Sequence, residues 1–151
     1  MIKERAKNTG PKSEVGQARK ELYANAHFRI KESIEKGFYL EAIALCESII
    51  CDRLEARIAW ISPQKKTIFN NIGNNLDFLE PREPDTLLND TYLEIRKWAK
   101  DRNKTLHEMV KLELINYEDW NKKYDEAKKT AIQGLRIAKK ISNHVKRVNK
   151  I

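Results

Sequence analysis

The sequence is poor in the residues that break a chain, cross-link it or bind metals. Five glycines and four prolines in 151 residues are too few for an all-β chain with many tight turns. Two cysteines and three histidines leave little for a disulfide framework or a zinc site. Cys46 and Cys51 lie five apart in one helical stretch, where a regular helix turns them about 140° from each other. No Cys-x-x-Cys occurs, and His27, His107 and His144 are far apart in sequence. Both thiols therefore read as core residues. Every long apolar stretch is interrupted by Glu, Asp or Arg, so none reaches the roughly 20 residues of a membrane span. The charged opening Met1-Ile2-Lys3-Glu4-Arg5 has no apolar core behind it and does not read as a signal peptide. A cytoplasmic chain without membrane contact is expected.

What the sequence has in excess is positive charge. Thirty Lys and Arg against 22 Asp and Glu give a net charge of +8, a surplus that favours a polyanionic partner without naming one. Residues 1–12 are basic and end near Thr9-Gly10-Pro11, the composition of a flexible tail. Residues 13–151 read as one helical domain. Val15, Ala18, Leu22, Ala26, Ile30 and Ile34 recur at helical spacing up to Gly37, a C-terminal stop. Ala42, Ile43, Cys46, Ile49, Ile50, Leu54, Ile58 and Ile61 form the strongest apolar stripe. Ser62-Pro63 reads as a cap and first-turn proline opening a shorter helix with Ile68, Ile72, Leu76 and Leu79.

Thr91 with Glu94 reads as a capping box, although Leu87 and Leu88 point to an earlier start. The core face of that helix would be Leu88, Tyr92, Ile95 and Trp98. The charged interval Lys100–Lys104, before Leu106, Met109, Val110 and Leu114, is compatible with a break, a kink or continuous helix. Asn116 with Asp119 opens the last helix, in which Gly134 marks a close approach of helices. Trp98, Trp120 and Tyr124 sit on apolar stripes and read as core. No segment is read as alternating with period two and no internal repeat is read, so the expectation is an all-α, up-and-down bundle of about five helices.

One constellation carries chemistry: Arg102-Asn103-Lys104-Thr105-Leu106-His107. Arg holds a phosphate through two donors and offsets the extra charge of a pentavalent transition state. His exchanges protons near neutral pH. With an RNA 2′-hydroxyl as nucleophile such a pair needs no metal and no cofactor. The plainer readings are a histidine at a helix start for His107, a helix-end charge for Arg102 and a cap for Asn103.

This hexapeptide resembles the Arg-x4–6-His motif of the HEPN superfamily, whose first spacer residue is commonly polar, as Asn103 is. The stretches Phe38–Ile43 and Ser48–Leu54 are similar to the second helix of many HEPN proteins. The resemblance covers residues 13–150 at the level of fold, and only the hexapeptide is specific. It implies a metal-independent endoribonuclease of toxin–antitoxin or defence type, with Arg102 and His107 as the catalytic pair and Asn103 in support. It equally implies the alternative of an inactive helical module that binds RNA, a nucleotide or a protein partner, such as an antitoxin or a regulator. Met109 stands where HEPN toxins paired with a nucleotidyltransferase usually have Tyr, so control by modification of that tyrosine is not expected.

Five residues apart in one helix, Arg102 and His107 diverge by about 140°. Either Arg102 precedes the helix, or the site forms where two copies meet. HEPN nucleases usually do the second, and a homodimer is expected. Asp52 is the candidate to orient Arg102, with Arg53 as its alternative partner. Lys104 and Lys111 are candidates to line an RNA groove.

Overall fold

The chain forms five helices in a computed structural model that describes residues 1–7 and 10–150. They are α1 (Glu14–Lys36), α2 (Tyr39–Ile61), α3 (Ile72–Leu79), α4 (Thr86–Glu108) and α5 (Trp120–Val148). Four of them open on a short polar side chain that takes one of the free N–H groups of the first turn. Ser13 accepts from the N–H of Gly16, Asn71 from Asn74, Asp85 from Leu88 and Asp119 from Lys122, all between 2.8 and 3.0 Å. Helix α1 stops at Gly37, whose φ of 82° is left-handed. The glycine is required twice over, because a Cβ there would also sit 2.2 Å from the Tyr124 hydroxyl oxygen.

Side-chain pairs fix the directions of the helices. Tyr23 reaches Asp52 and Arg29 reaches Glu41, so α1 runs antiparallel to α2. Tyr39 packs on Tyr124 and Arg57 bonds Asn149, so α2 and α5 run parallel. Lys104 meets Glu126 and Arg147 meets Asp85, so α4 runs antiparallel to α5. The result is the expected all-α, up-and-down bundle, with α2 and α5 at its centre.

The α2 stripe is buried as its period requires: Ala42, Ile43, Cys46, Ile50 and Leu54 are fully covered. Against it lies Gly134, where an added Cβ would stand 2.8 Å from Trp98 Cζ2 and 3.1 Å from Cys46 Cβ. Trp98 is buried and its indole N–H donates to the Thr130 carbonyl at 2.9 Å. The bulky indole of α4 thus fills the space that the missing side chain of α5 leaves. Arg57 and Glu83 form a buried pair with two parallel bonds of 2.7 and 2.8 Å. The Tyr92 hydroxyl donates to Glu83, and Asn149 accepts from Arg57. This network ties α2 to the α3–α4 connection and to the end of α5.

Several sequence expectations are corrected. Ser62-Pro63 opens no helix: residues 67–69 instead run beside residues 3–5, with Arg5 N–H donating to Thr67 O and Phe69 N–H to Lys3 O. That non-local pairing satisfies the backbone that a helix would have used, and leaves Ile68 exposed. Part of the stretch expected to be a loose tail is thereby tied down, with Arg5 buried. Thr9, named in the expected breaker, lies outside the described residues. Thr91 is no cap but a buried residue inside α4, bonded to Leu87 O and facing His144 at 3.2 Å. Asp85 takes the capping role. The interval 100–104 is continuous helix.

Candidate functional site

Helix α4 runs without interruption through Arg102 and His107 to Glu108, so the first of the two geometric options is closed. The two side chains leave one helix about 140° apart, with about 7.5 Å of rise between their Cα atoms. Arg102 turns inward: its Nη1 donates to Glu47 Oε1 of α2 at 2.7 Å. The side chain is 15% exposed, and its Nε is buried without a partner. His107 lies exposed in the last turn of α4, and Asn103 and Lys104 are exposed one turn earlier. The structure keeps Arg102 and His107 on one helix end without bringing them to a common point within the chain.

Arg102 is oriented by Glu47 rather than by Asp52. Asp52 accepts instead from Arg5 at 3.0 Å, from Arg53 at 2.9 Å and from the Tyr23 hydroxyl. Burial alone would raise its carboxyl, but Arg5, Tyr23 and Arg53 overcome that and hold it at about 2. The physical reason is register. Glu47 and Asp52 stand five apart on α2, so they face different neighbours: Glu47 the Arg102 side, Asp52 the groove between α1 and the N-terminal segment. Cys51, near Arg102, is no nucleophile at neutral pH, since burial, with Glu47 and Glu55 close by, pushes its thiol up to about 12.

Lys104 points to α5, with Glu118 at 3.4 Å and Glu126 at 3.7 Å. Lys111 is exposed beyond the helix end. The Lys123 ammonium of α5 bonds the carbonyls of Glu108 and Lys111, closing the C-terminus of α4. The chain then crosses to α5 through a segment that sequence reading placed partly in the core. Val110, Leu114 and Ile115 are 88%, 88% and 94% exposed. Leu112, Tyr117 and Trp120 are exposed beside them, Trp120 stacked on Tyr124. The reading that no segment alternates with period two is corrected here: Val110-Lys111-Leu112-Glu113-Leu114 alternates apolar and charged residues, a pattern that no helix buries on one face. Glu47 had no comparable signal, because nothing local selects among the carboxylates of α2.

The arrangement offers one half-buried guanidinium, one exposed imidazole and an exposed amide next to an uncovered apolar surface. Among the described residues no three His, Cys, Asp or Glu side chains gather as metal ligands would, and no helix is long and apolar enough to cross a membrane. No protein-family model, curated protein or solved structure matches the chain.

Proposed function

We propose that the protein is a HEPN-type, metal-independent endoribonuclease whose active centre is shared by two copies. One observation carries the reading. His107 and Arg102 cannot converge within one continuous helix, yet His107 sits at the edge of the exposed apolar segment 110–117. An apolar surface of that kind marks an interaction site. A second copy of the chain, seated across a twofold axis, would cover it and bring two Arg102–His107 motifs into one cleft.

In such a cleft the RNA 2′-oxygen bonds to the adjacent phosphorus while the bond from phosphorus to the 5′-oxygen breaks. One imidazole takes the 2′ proton and the other gives a proton to the departing 5′-oxygen. The guanidiniums offset the charge that gathers on the phosphoryl oxygens. The products are a 2′,3′-cyclic phosphate and a 5′-hydroxyl. Asn103, Lys104 and Lys111 would line the approach of the strand. A toxin or defence setting, under an antitoxin or another regulatory partner, belongs to the same reading.

The Arg102–Glu47 pair favours a second reading. A guanidinium already neutralised at 2.7 Å also suits a silent module that binds RNA, a nucleotide or a protein partner without cutting. The test is cleavage of total RNA and a tRNA pool in EDTA by the wild type, Arg102→Ala and His107→Ala, with mass measured in solution. A dimer that cuts, and a loss of about a hundredfold or more in either variant, is expected. Intact RNA with wild-type dimer would select the silent module, and a monomer would overturn the composite site.

A further inference from the structure

A recess of about 450 Å³ lies between one face of α1, one face of α2 and the short segments 5–6 and 69–70. Its α1 wall is Arg19, Leu22, Tyr23 and Ala26, which share a face through their three- and four-residue spacing. Asp52 and Glu55 share a face of α2 in the same way. Leu22 and Phe69 are exposed at its mouth, and Ile49 is buried behind them. The walls are thus apolar toward solvent and charged toward α2.

The charges leave two needs unmet. Among the described residues four charged side chains are buried: Arg5, Glu55, Arg57 and Glu83. Arg5 meets Asp52 and Arg57 meets Glu83. Glu55, 4% exposed, alone has no opposite charge within 4.0 Å. Only amides serve it, the Asn70 N–H at 3.0 Å and Asn75 Nδ2 at 3.1 Å, both on Oε2. Burial outweighs these bonds and pushes the carboxyl above its usual range. A cation brought to it would offset the cost of burying that charge.

Arg19 has the converse need. Its Nη2 donates to Ala6 O at 3.1 Å and its Nε stands 3.6 Å from Asp52, while Nη1 is buried without a partner. Asp52 is already shared with Arg5, Arg53 and the Tyr23 hydroxyl. Arg19 therefore meets α2 one helical turn from Glu55, about 4.5 Å of rise away.

We propose that this recess binds a free α-amino acid with an apolar side chain, its carboxylate on Arg19 and its ammonium on Glu55. Such a molecule carries the two complementary charges on one carbon, and its side chain would lie among Leu22, Ala26, Ile49 and Phe69. A simple anion would leave Glu55 without a cation, and a simple amine would leave Arg19 Nη1 without an acceptor and face Arg5 as well. The volume falls within the range of small-ligand pockets, roughly 300–1,000 Å³. Neither Arg102 nor His107 takes part, so the inference stands apart from the nuclease reading.

Titration calorimetry of the full-length protein tests it with leucine, phenylalanine, isocaproate (leucine without its ammonium) and isoamylamine (leucine without its carboxylate). Leucine or phenylalanine should bind, and each one-headed analogue should bind about tenfold or more weakly than leucine. Glu55→Gln keeps an acceptor for Asn70 and Asn75; it should weaken the amino acids by about tenfold and leave isocaproate unchanged. Arg19→Gln should do the reverse, weakening the amino acids and leaving isoamylamine unchanged. Helical circular dichroism checks that both variants fold, and the wild-type comparison of leucine with its two analogues needs neither. Absence of amino-acid binding, an analogue that binds as tightly as leucine, or binding indifferent to both variants would each overturn the proposal.

Discussion

Where α4 meets α5, Arg102 faces Glu47 at 2.7 Å and Lys104 lies between Glu118 and Glu126. At the other end of α5, Lys7, Lys65 and Lys146 surround a groove whose walls hold no carboxylate among the described residues. The two ends share one basic composition and differ in where the compensating charge lies. At the motif end Arg102 and Lys104 meet carboxylates of their own chain, and the surface beside them is apolar: Val110, Leu112, Leu114 and Ile115. At the groove end Lys7, Lys65 and Lys146 meet no carboxylate among the described residues, and Trp60 stands 41% exposed beside them. An uncovered apolar segment asks for protein; an uncovered cluster of ammonium groups asks for an anion. Net charge alone, +8 for the whole chain, does not distinguish the two cases.

The largest expected effect comes from breaking the support of the groove end. Arg57→Leu would leave the fully buried Glu83 carboxylate with Tyr92 but without its cation, at a cost of about 3–5 kcal/mol. Urea denaturation should show that loss, and hydrogen exchange should show it first in α2 and the end of α5. A loss below about 1 kcal/mol would mean that the buried pair is not what holds this end together.

Acid should act on the same end with a smaller effect. The Asp52 carboxyl sits at about 2 when folded, below the unfolded value near 3.9. Its ionised form is therefore favoured by folding. The stabilisation, about 2 kcal/mol, is present above roughly pH 4 and lost as pH falls toward 2. The stability gap between wild type and Asp52→Asn should close over that window. A gap independent of pH would show that Arg5 and Arg53 do not depend on the charge of Asp52.

Between the two ends, Gly134→Ala sets a gain against a clash. The helix gains up to about 1 kcal/mol from alanine, while the new methyl meets the rigid Trp98 ring at 2.8 Å and Cys46 at 3.1 Å. Overpacking of this kind costs about 1–3 kcal/mol, so a net loss of about 1 kcal/mol is expected in thermal or urea melts. A stabilised variant would show that α4 shifts away freely.

What the sequence made legible was local and periodic. Cys46, Trp98, Gly37 and Gly134 were read from stripe spacing and from the one residue type that fits a stop or a close approach. The structure places all four accordingly. What it hid depends on residues far apart. Ser62-Pro63 has the local grammar of a helix start, but pairing with residues 3–5 prevails. Trp120 keeps helical spacing with Tyr124, yet it is the first residue of α5 and is 57% exposed. The motif itself was readable as six consecutive residues. The groove was not, because Lys7, Trp60, Lys65 and Lys146 meet only after folding.

The smallest expected change in stability sharpens the comparison at its most delicate point. Glu47→Gln keeps an acceptor for Arg102 and removes only the negative charge, in a pair whose side chains are 15% and 26% exposed. The loss of stability should be about 0.5–1 kcal/mol. Its effect on RNA should be larger than its effect on folding. With Glu47 neutral, the motif end acquires the uncompensated cation that the groove end already has, and a phosphate no longer competes with a carboxylate for Arg102. If Arg102 touches RNA, KM should fall several-fold while kcat holds, because the guanidinium stays in place and only its affinity for phosphate rises. In the silent-module reading the same variant should tighten RNA binding with a steeper salt dependence and still no cleavage. RNA affinity equal to that of the wild type would show that Arg102 spends its charge on α2 alone, and the contrast between the two ends would then be one of structure against binding.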